Sequence, residues 1–275
     1  DFMLNFAQPC LKSCNYAFLA AVMQKSAVCT CLTLKAVNFI LPFRALPKRS
    51  VMKKYLLLVS ILFCGIIASA QTLDWVWAKT AGGSQEDALN HVATDSRNGV
   101  YGFGYFKSPV LQIFGNSFVN AGDKDLLLVK YDTLGNVIWA KAFGSSGTDN
   151  ASDISTDYAG NIIITGSYAN SIQFGSYNLP VSGGQNAFIA KLSGNGDVLW
   201  AKGFAGNADD VGQAVKCDKY NNIYAAGSFT SRNLTIDGVL LDSMHRYNAY
   251  YCKFDEGGNL KWAKRRWATE FLAFT

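Results

Sequence analysis

One tripeptide, Trp-Ala-Lys, occurs four times in the chain and constrains the fold more than any other feature. Its tryptophans lie 62, 61 and 62 residues apart. A spacing this regular predicts repeated supersecondary units that stack side by side or close into a ring. The repeated residues are Trp77, Trp139, Trp200 and Trp262.

Other residues come into register when the chain is aligned on these tryptophans. Two aspartate columns, one glycine column and one lysine column recur in three units. Repeated positions of this kind indicate repeated structure. The aspartates are Asp87, Asp149 and Asp210, then Asp95, Asp157 and Asp218; the glycines are Gly104, Gly166 and Gly227; the lysines are Lys130, Lys191 and Lys253.

Each column has a structural interpretation. We expect the tryptophans to pack between units rather than to stack on a ligand. We expect the aspartates to cap turns; a calcium site is the alternative, although it needs more converging oxygens than the columns supply, and the pair Asp209-Asp210 is only weak evidence for a metal. The lysines are interpreted as a solvated or edge stripe.

The pattern between the tryptophans predicts four β-strands in each unit. In the second unit these are 151–156, 161–166, 187–192 and 198–202, with Asp-x-x-Gly-Asn turns between them. No helical periodicity of useful length follows residue 71. Four antiparallel strands joined by tight turns and repeated describe a propeller blade. We therefore predict an all-β fold, a β-propeller with blades of about 62 residues.

Three blades are complete in this prediction, over 77–138, 139–199 and 200–261, and a fourth is partial, over 262–275. A propeller ring needs about four blades or more to close. The prediction is therefore a partial ring, with either a truncated or frameshifted product or a diverged terminus after Trp262.

Inserts separate the second and third strands, over 108–125, 170–186 and 231–248. Each carries a hairpin signal, with turns expected at Gly115-Asn116, Gly175-Ser176 and Asp237-Gly238. We expect the inserts to project on one face of the ring and to carry recognition, as loops on rigid scaffolds do. Candidate ligand contacts are Tyr177, Leu179, Arg232, His245, Arg246 and Tyr247.

The first 70 residues differ from the rest. A basic Met-Lys-Lys, an apolar run and Ala68-Ser69-Ala70 make 52–70 a predicted signal peptide, cleaved near Ala70-Gln71. The apolar run falls short of a membrane span. Residues 1–51 precede this start and are interpreted as upstream read-through; the alternative is an apolar extension with a helical patch over 16–23. The mature repeats, 71–275, are expected at the surface or in the periplasm, in a Gram-negative bacterium.

Composition excludes several classes of function. Of 25 basic and 20 acidic residues, eight basic and one acidic precede residue 71, which leaves 17 and 19, a net charge of −2. The repeats thus lack the basic surface that binds nucleic acid. Cys217 and Cys252 are expected on the first and third strands of one unit, too far apart for a disulfide. His91 is interpreted as structural, and no activated nucleophile is evident, so we predict no catalysis, cofactor or metal.

The pattern WAKxxGG…D…D…GNxYxxG…KxDxxGxxxWAK resembles the SBBP family of bacterial β-propeller repeats over three units, about 77–261. That resemblance implies an exported or surface propeller without established catalytic chemistry. Its ligand would be a carbohydrate, a peptide or a surface protein. The residues after Trp262 depart from the pattern, since they lack the glycine pair seen at Gly82-Gly83.

An alternative function is that of a quinoprotein enzyme. Residues 132–139 look like the tryptophan-docking motif of pyrroloquinoline-quinone propellers, and 255–262 repeat the spacing. The same motif serves scaffold propellers without activity. The repeats also lack the adjacent cysteine pair that such enzymes often use.

Overall fold

The computed structural model describes residues 18–22, 77–243 and 247–267, and every regular element in them is a β-strand. Three four-stranded antiparallel sheets carry the predicted strands in chain order, from first to fourth. The first sheet contains β3 (Asp87–Thr94), β4 (Val100–Phe106), β7 (Asp125–Tyr131) and β8 (Val137–Phe143); the second contains β9 (Asn150–Thr156), β10 (Ile162–Tyr168), β13 (Asn186–Leu192) and β14 (Val198–Phe204); the third contains β15 (Asp210–Cys217), β16 (Ile223–Phe229), β19 (Asn248–Phe254) and β20 (Leu260–Trp267).

The sheets are out of phase with the sequence units. The Trp-Ala-Lys strand, which opens each sequence unit, is the fourth and last strand of a sheet. Trp262 therefore lies in β20, which completes the third sheet instead of beginning a fourth. At the other end, Trp77 begins β2 (Trp77–Ala81), which pairs with β1 (Phe18–Val22) in a two-stranded sheet.

The strand at 18–22 overturns the helical patch expected over 16–23 for these five residues, because their backbone pairs with the edge of β2. The signal peptide at 52–70, the rest of the predicted read-through and the end of the chain after 267 lie outside the described residues.

A small hairpin lies between the second and third strands of each sheet. Two turns fall where the sequence predicts them, at Gly175-Ser176 and Asp237-Gly238. The first falls one residue earlier, at Phe114-Gly115, because Ile113 pairs with Asn116. The hairpins are β5 (Val110–Ile113) with β6 (Asn116–Val119), β11 (Ile172–Phe174) with β12 (Tyr177–Leu179), and β17 (Asn233–Ile236) with β18 (Val239–Asp242).

The core consists of two apolar layers, one between the first and second sheets and one between the second and third. The inserts help to fill these layers. Phe174 of the second insert lies 4.8 Å from Phe143 of the first sheet, measured between ring centroids. Alternate residues of every insert are buried. One side of each hairpin is therefore buried, and the other side is left to face solvent.

The tryptophans join consecutive sheets, as predicted. The indole Nε1 of Trp77, Trp139 and Trp200 donates to a main-chain carbonyl in the turn between the third and fourth strands of the sheet that follows. We call these turns, at 132–136, 193–197 and 255–259, the docking turns. Gly258 shows why glycine recurs there: its φ is +82°, and an added Cβ would lie 2.8 Å from the Trp200 ring. The bonds run from Trp77 to Thr133 at 3.1 Å, from Trp139 to Gly194 at 3.3 Å and from Trp200 to Glu256 at 3.3 Å.

The lysine column contacts the same turns. Lys130 Nζ donates to the Gly194 carbonyl at 2.7 Å, and Lys191 Nζ donates to the Glu256 carbonyl at 3.1 Å. Lys191 is 1% exposed and forms an ion pair of 2.9 Å with buried Asp157. The predicted stripe was solvated or at a sheet edge; the solvated alternative is wrong for Lys191, because the third sheet covers this residue.

Candidate functional site

The first strands of the three sheets pack side by side and bring polar residues together. Thr156 Oγ1 of β9 donates to the Thr94 carbonyl of β3 at 2.8 Å. Each first strand also contains a β-bulge, at which one residue has no partner on the second strand. Bulges re-aim side chains and are frequent next to binding sites. The bulged residues are Asn90, Ser152 and Gln213, which we call the polar row.

The glycine column exists because of these bulges. A bulge pushes the first strand against the second, so a Cβ on Gly166 would lie 1.9 Å from the Asn150 carbonyl oxygen. Gly104 and Gly227 face carbonyls of their own first strands at 1.9 and 2.0 Å. Sequence reasoning missed the polar row, although this glycine column was its signal.

Two residues beside the polar row link neighbouring first strands. Asp153 Oδ2 on β9 accepts from the Val215 amide at 2.9 Å and from Lys216 Nζ at 3.2 Å, both on β15. His91 occupies the matching position on β3. Burial lowers the pKa of His91, while Asp153 and the backbone of Ala151 act in the opposite direction. This position suits the structural role predicted for the histidine.

The aspartates at the ends of the first strands cap turns, as predicted. Asp157 accepts from the amides of Ala159 and Asn161 at 2.9 and 2.8 Å. Burial opposes ionisation of Asp157, but hydrogen bonds from Asn161 and Lys191 outweigh it and lower the pKa. Asp218 accepts the same pair of amide bonds, from Tyr220 and Asn222. Asp95 does so in the first sheet.

The aspartates at the beginning of the first strands are buried. Asp210 accepts from Ser231 Oγ at 2.8 Å, and burial raises its pKa to about 6. Its neighbour Asp209 bonds elsewhere, accepting from the Gln185 amide at 2.9 Å. Asp87 and Asp149 bond serines and backbone amides in the same way. In the described parts of the chain, no three His, Cys, Asp or Glu side chains are grouped as metal ligands would be.

Asp125 differs from its equivalents in the other sheets. The second and third sheets begin their third strands with Asn186 and Asn248. Asn186 can donate to the Ser182 carbonyl and accept from the Ser182 amide, at 2.8 and 2.9 Å. Asp125 Oδ2 accepts from the Ala121 amide at 2.8 Å, whereas its buried Oδ1 has no partner. Burial raises the pKa of Asp125 to about 6.

The predicted ligand contacts lie on different inserts and differ in how far their side chains are exposed. Tyr177 is 36% exposed, and its hydroxyl donates to the Leu199 carbonyl at 2.6 Å. Leu179 is 5% exposed and belongs to the apolar layer, so its assignment as a contact is wrong. Arg232 and Tyr247 are exposed. His245 and Arg246 lie outside the described residues.

The two cysteines within the described residues are free thiols. Cys217 on β15 and Cys252 on β19 are separated by β16. Burial raises both thiol pKa values to about 12, so neither is a thiolate at neutral pH. Over the residues that the structure covers, no helix has the length and hydropathy that crossing a bilayer requires.

Comparisons with known proteins give distant relatives. No protein-family model matches the chain. An uncharacterized WD repeat-containing protein of Acanthamoeba polyphaga mimivirus is 24% identical over 223 residues, which is 68% of this chain and 16% of that protein. Regulatory protein FlaEY of Caulobacter vibrioides is 28% identical over 144 residues, 50% of this chain and 15% of that protein.

Among solved structures, a protein of unknown function from Bacteroides caccae aligns with 70% of this chain and 86% of its own length. The TM-score is 0.25 and the identity is 9%. The two curated relatives are much longer proteins, and the chain spans only 16% and 15% of their lengths. Its four-stranded sheets and its similarity to a WD repeat-containing protein are features of a repeat scaffold.

Proposed function

We propose that the chain is an exported, non-catalytic scaffold whose three sheets are consecutive blades of a β-propeller of the SBBP type. The observation that carries this proposal is the junction repeated between sheets, with one indole bonded to the next docking turn each time. The neighbouring first strands would then line the axis of the ring. The apolar segment before Ala70 supports export to the periplasm or cell surface.

The polar row is the proposed binding site. Asn90 and Gln213 are exposed and Ser152 is half-buried, so the three sheets present amides and a hydroxyl on adjacent strands. Uncharged donors and acceptors suit a ligand rich in hydroxyl groups, which favours a carbohydrate among the ligand classes considered. A peptide or a surface protein fits the same donors less specifically.

A binding experiment separates the polar row from the inserts. The double variant Asn90→Ala/Gln213→Ala removes two amides of the row, and Arg232→Ala/Tyr247→Phe is the matched variant of an insert. Both sets are solvent-exposed, so both variants should fold. We expect binding to arrayed bacterial and host glycans to be lost only in the first variant. Loss of glycan binding only in the insert variant would assign recognition to the inserts. Absence of glycan binding by the wild type would contradict the proposal that the ligand is a carbohydrate.

A quinoprotein enzyme is the second candidate, favoured by Trp77 docking on the turn at 132–136. The same contact occurs at every junction and is explained by sheet packing alone. Reduction of a dye by the protein with added pyrroloquinoline quinone and calcium would support the enzyme. We expect no reduction above that of the quinone alone.

A further inference from the structure

A buried amine, a buried carboxylate and a side-chain amide meet in the second sheet. The side chains of Lys191 and Asp157 are both buried. Asp157 Oδ1 is occupied, since it accepts from the main-chain amides of Ala159 and Asn161. The other oxygen, Oδ2, accepts from Lys191 Nζ and from Asn161 Nδ2, each at 2.9 Å. The lysine amine and the asparagine amide therefore share one oxygen atom.

The strand register brings these side chains to one face of the sheet. Lys191 pairs with Ile163 across β10 and β13, and Asn161 precedes Ile163 by two positions. Residues two apart on a strand share a face, and a diagonal neighbour on the next strand is within reach of a long side chain. Ile163 belongs to the apolar layer that the third sheet covers. The amine is therefore shielded from solvent, and the Glu256 carbonyl holds it in place.

The third sheet has the same three residue types but arranges them differently. Asn222 Nδ2 donates to Asp218 Oδ2 at 2.8 Å, as in the second sheet. The other donor to that oxygen is the Tyr224 hydroxyl, at 3.2 Å, whereas Lys253 Nζ lies 5.1 Å from the centre of the Tyr224 ring. The second sheet has Ile163 at the position of this tyrosine. Isoleucine has no donor, so the lysine takes the place of the hydroxyl.

The first sheet lacks the side-chain amide. Gly99 occupies the position of Asn161, and Asp95 Oδ2 accepts from the Tyr101 hydroxyl at 2.8 Å. Among the three described sheets, only the second brings a buried lysine, a carboxylate and an asparagine together.

We propose that Lys191 and Asn161 form an intramolecular isopeptide bond, with Asp157 as the general base. Lys191 Nζ gives one proton to Asp157 Oδ2, and the resulting amine attacks Cγ of Asn161. The Nζ–Cγ bond forms, Nζ gives up a second proton, and the Cγ–Nδ2 bond breaks. Oδ2 relays both protons to Nδ2, which leaves as ammonium. The reaction needs no oxidant or reductant, and the oxygen that relays the protons already touches both nitrogens.

The bond closes a covalent loop over residues 161–191, which includes the second insert. Such a cross-link restricts the unfolded chain as a disulfide does, but it forms without oxidising conditions. The insert is thereby fastened to its own sheet. This inference does not depend on the ligand proposed for the polar row.

The test is mass spectrometry of the full chain during a week at neutral pH. Hydrogen bonds lower the pKa of Asp157, so the first proton transfer is unfavourable and the bond should form slowly after folding. We expect the mass to fall by one ammonia. Digestion with trypsin and chymotrypsin cuts the chain at Tyr168 and Phe174, between the two reacting residues. The fragments that contain Asn161 and Lys191 should remain joined.

Three variants assign the reaction to these residues. Lys191→Met should keep its full mass, whereas the matched variant Lys253→Met should still lose one ammonia and give joined fragments. Asp157→Asn keeps an oxygen for the turn amides but cannot accept the proton, so it should react at least about a hundredfold more slowly. An unchanged rate in Asp157→Asn would contradict the role of the carboxylate.

The wild type alone can overturn the inference. A chain that keeps its full mass after the week has no isopeptide bond. Loss of ammonia without joined fragments places the reaction elsewhere, for example in a succinimide at Asn98-Gly99. Joined fragments with loss of one water instead of ammonia place the bond on Asp157 and contradict the assignment to Asn161.

Discussion

The second and third sheets have the same strand order and the same recurring residues, but they differ in how many neighbours cover them. The second sheet lies between two others, and its strands β10 and β13 are buried at every position. The third sheet has one such neighbour, and in its strands β16 and β19 buried residues alternate with half-buried or exposed ones. The strand pairing within each sheet is complete in both.

This difference shows which part of the stability is internal to a sheet and which part belongs to a junction. Backbone pairing and turn caps form within one sheet. Burial of the indole, the lysine and the strand faces requires the next sheet, as in other repeat proteins whose stability is a sum of unit and neighbour terms. Substitutions at equivalent positions should therefore differ in cost wherever the junction matters.

The largest difference is expected at the tryptophans. Trp200→Ala removes a side chain that is 8% exposed and its bond to Glu256, and should lower the free energy of unfolding by about 3–5 kcal/mol. Trp262→Ala, the matched control, should cost about 1 kcal/mol or less, since its face is open. Urea denaturation followed by circular dichroism measures both. Equal costs would contradict the role of the junction.

A smaller difference is expected at the lysines. Lys191→Met leaves Asp157 buried without its 2.9 Å partner, which should cost about 3 kcal/mol. Lys253→Met leaves Asp218 near solvent and should change stability by less than about 0.5 kcal/mol. Chemical denaturation at pH 7 compares the two variants. A substantial loss in Lys253→Met would show that the third sheet uses its lysine internally.

Substitution of the glycine that packs against the bulge should lower the free energy of unfolding by the same amount in the second and third sheets, because its contact does not involve a neighbouring sheet. An added Cβ would lie 1.9 Å from a carbonyl oxygen at Gly166 and 2.0 Å at Gly227. Gly166→Ala and Gly227→Ala should each lower the free energy of unfolding by about 1–3 kcal/mol. The contact lies within one sheet, so a cost confined to the second sheet would contradict this division.

Asp125→Asn should stabilise the protein, because it converts the first sheet to the residue found in the other two. The native carboxyl has a pKa of about 6, above its ordinary value of 3.8, so between these values the folded state binds more proton than the unfolded state. The free energy of unfolding of the native protein therefore falls as pH rises through the pKa of about 6 and the buried carboxyl ionises. We expect a gain of about 1–3 kcal/mol at pH 7.5 that vanishes near pH 4, measured by denaturation across this range. A gain independent of pH would contradict the raised pKa.

The sequence predicted the features that depend on local pattern. Asp157 caps its turn because its acceptors and the amides ahead of it are neighbours in the chain. Trp200 packs between sheets, as the recurrence of an indole at one strand position in every unit predicted. The sequence did not predict which strand begins each sheet, since a periodic sequence carries no mark of that boundary. Trp262 lies in the last strand of the third sheet instead of the first strand of a fourth.

Other features depend on distant partners. The burial of Lys191 arises from a turn 65 residues away, so its own neighbours in the sequence give no sign of it. The polar row depends on the register between the first and second strands of each sheet. The one extra residue at each bulge, such as Ser152, is the residue that belongs to the row. Gly166 is a consequence of that register, but in the sequence alone a recurring glycine is equally typical of a turn.

Exchange of the indole Nε1 protons tests the account most directly, because each junction is defined by one such proton. The measurement is hydrogen–deuterium exchange followed in ¹H–¹⁵N spectra, with resonances assigned by Trp→Phe variants. Trp139 and Trp200 should exchange at least a hundredfold more slowly than Trp262, since their protons are bonded to the next docking turn. Equal exchange at all three tryptophans would contradict the claim that these sheets are joined through their indoles.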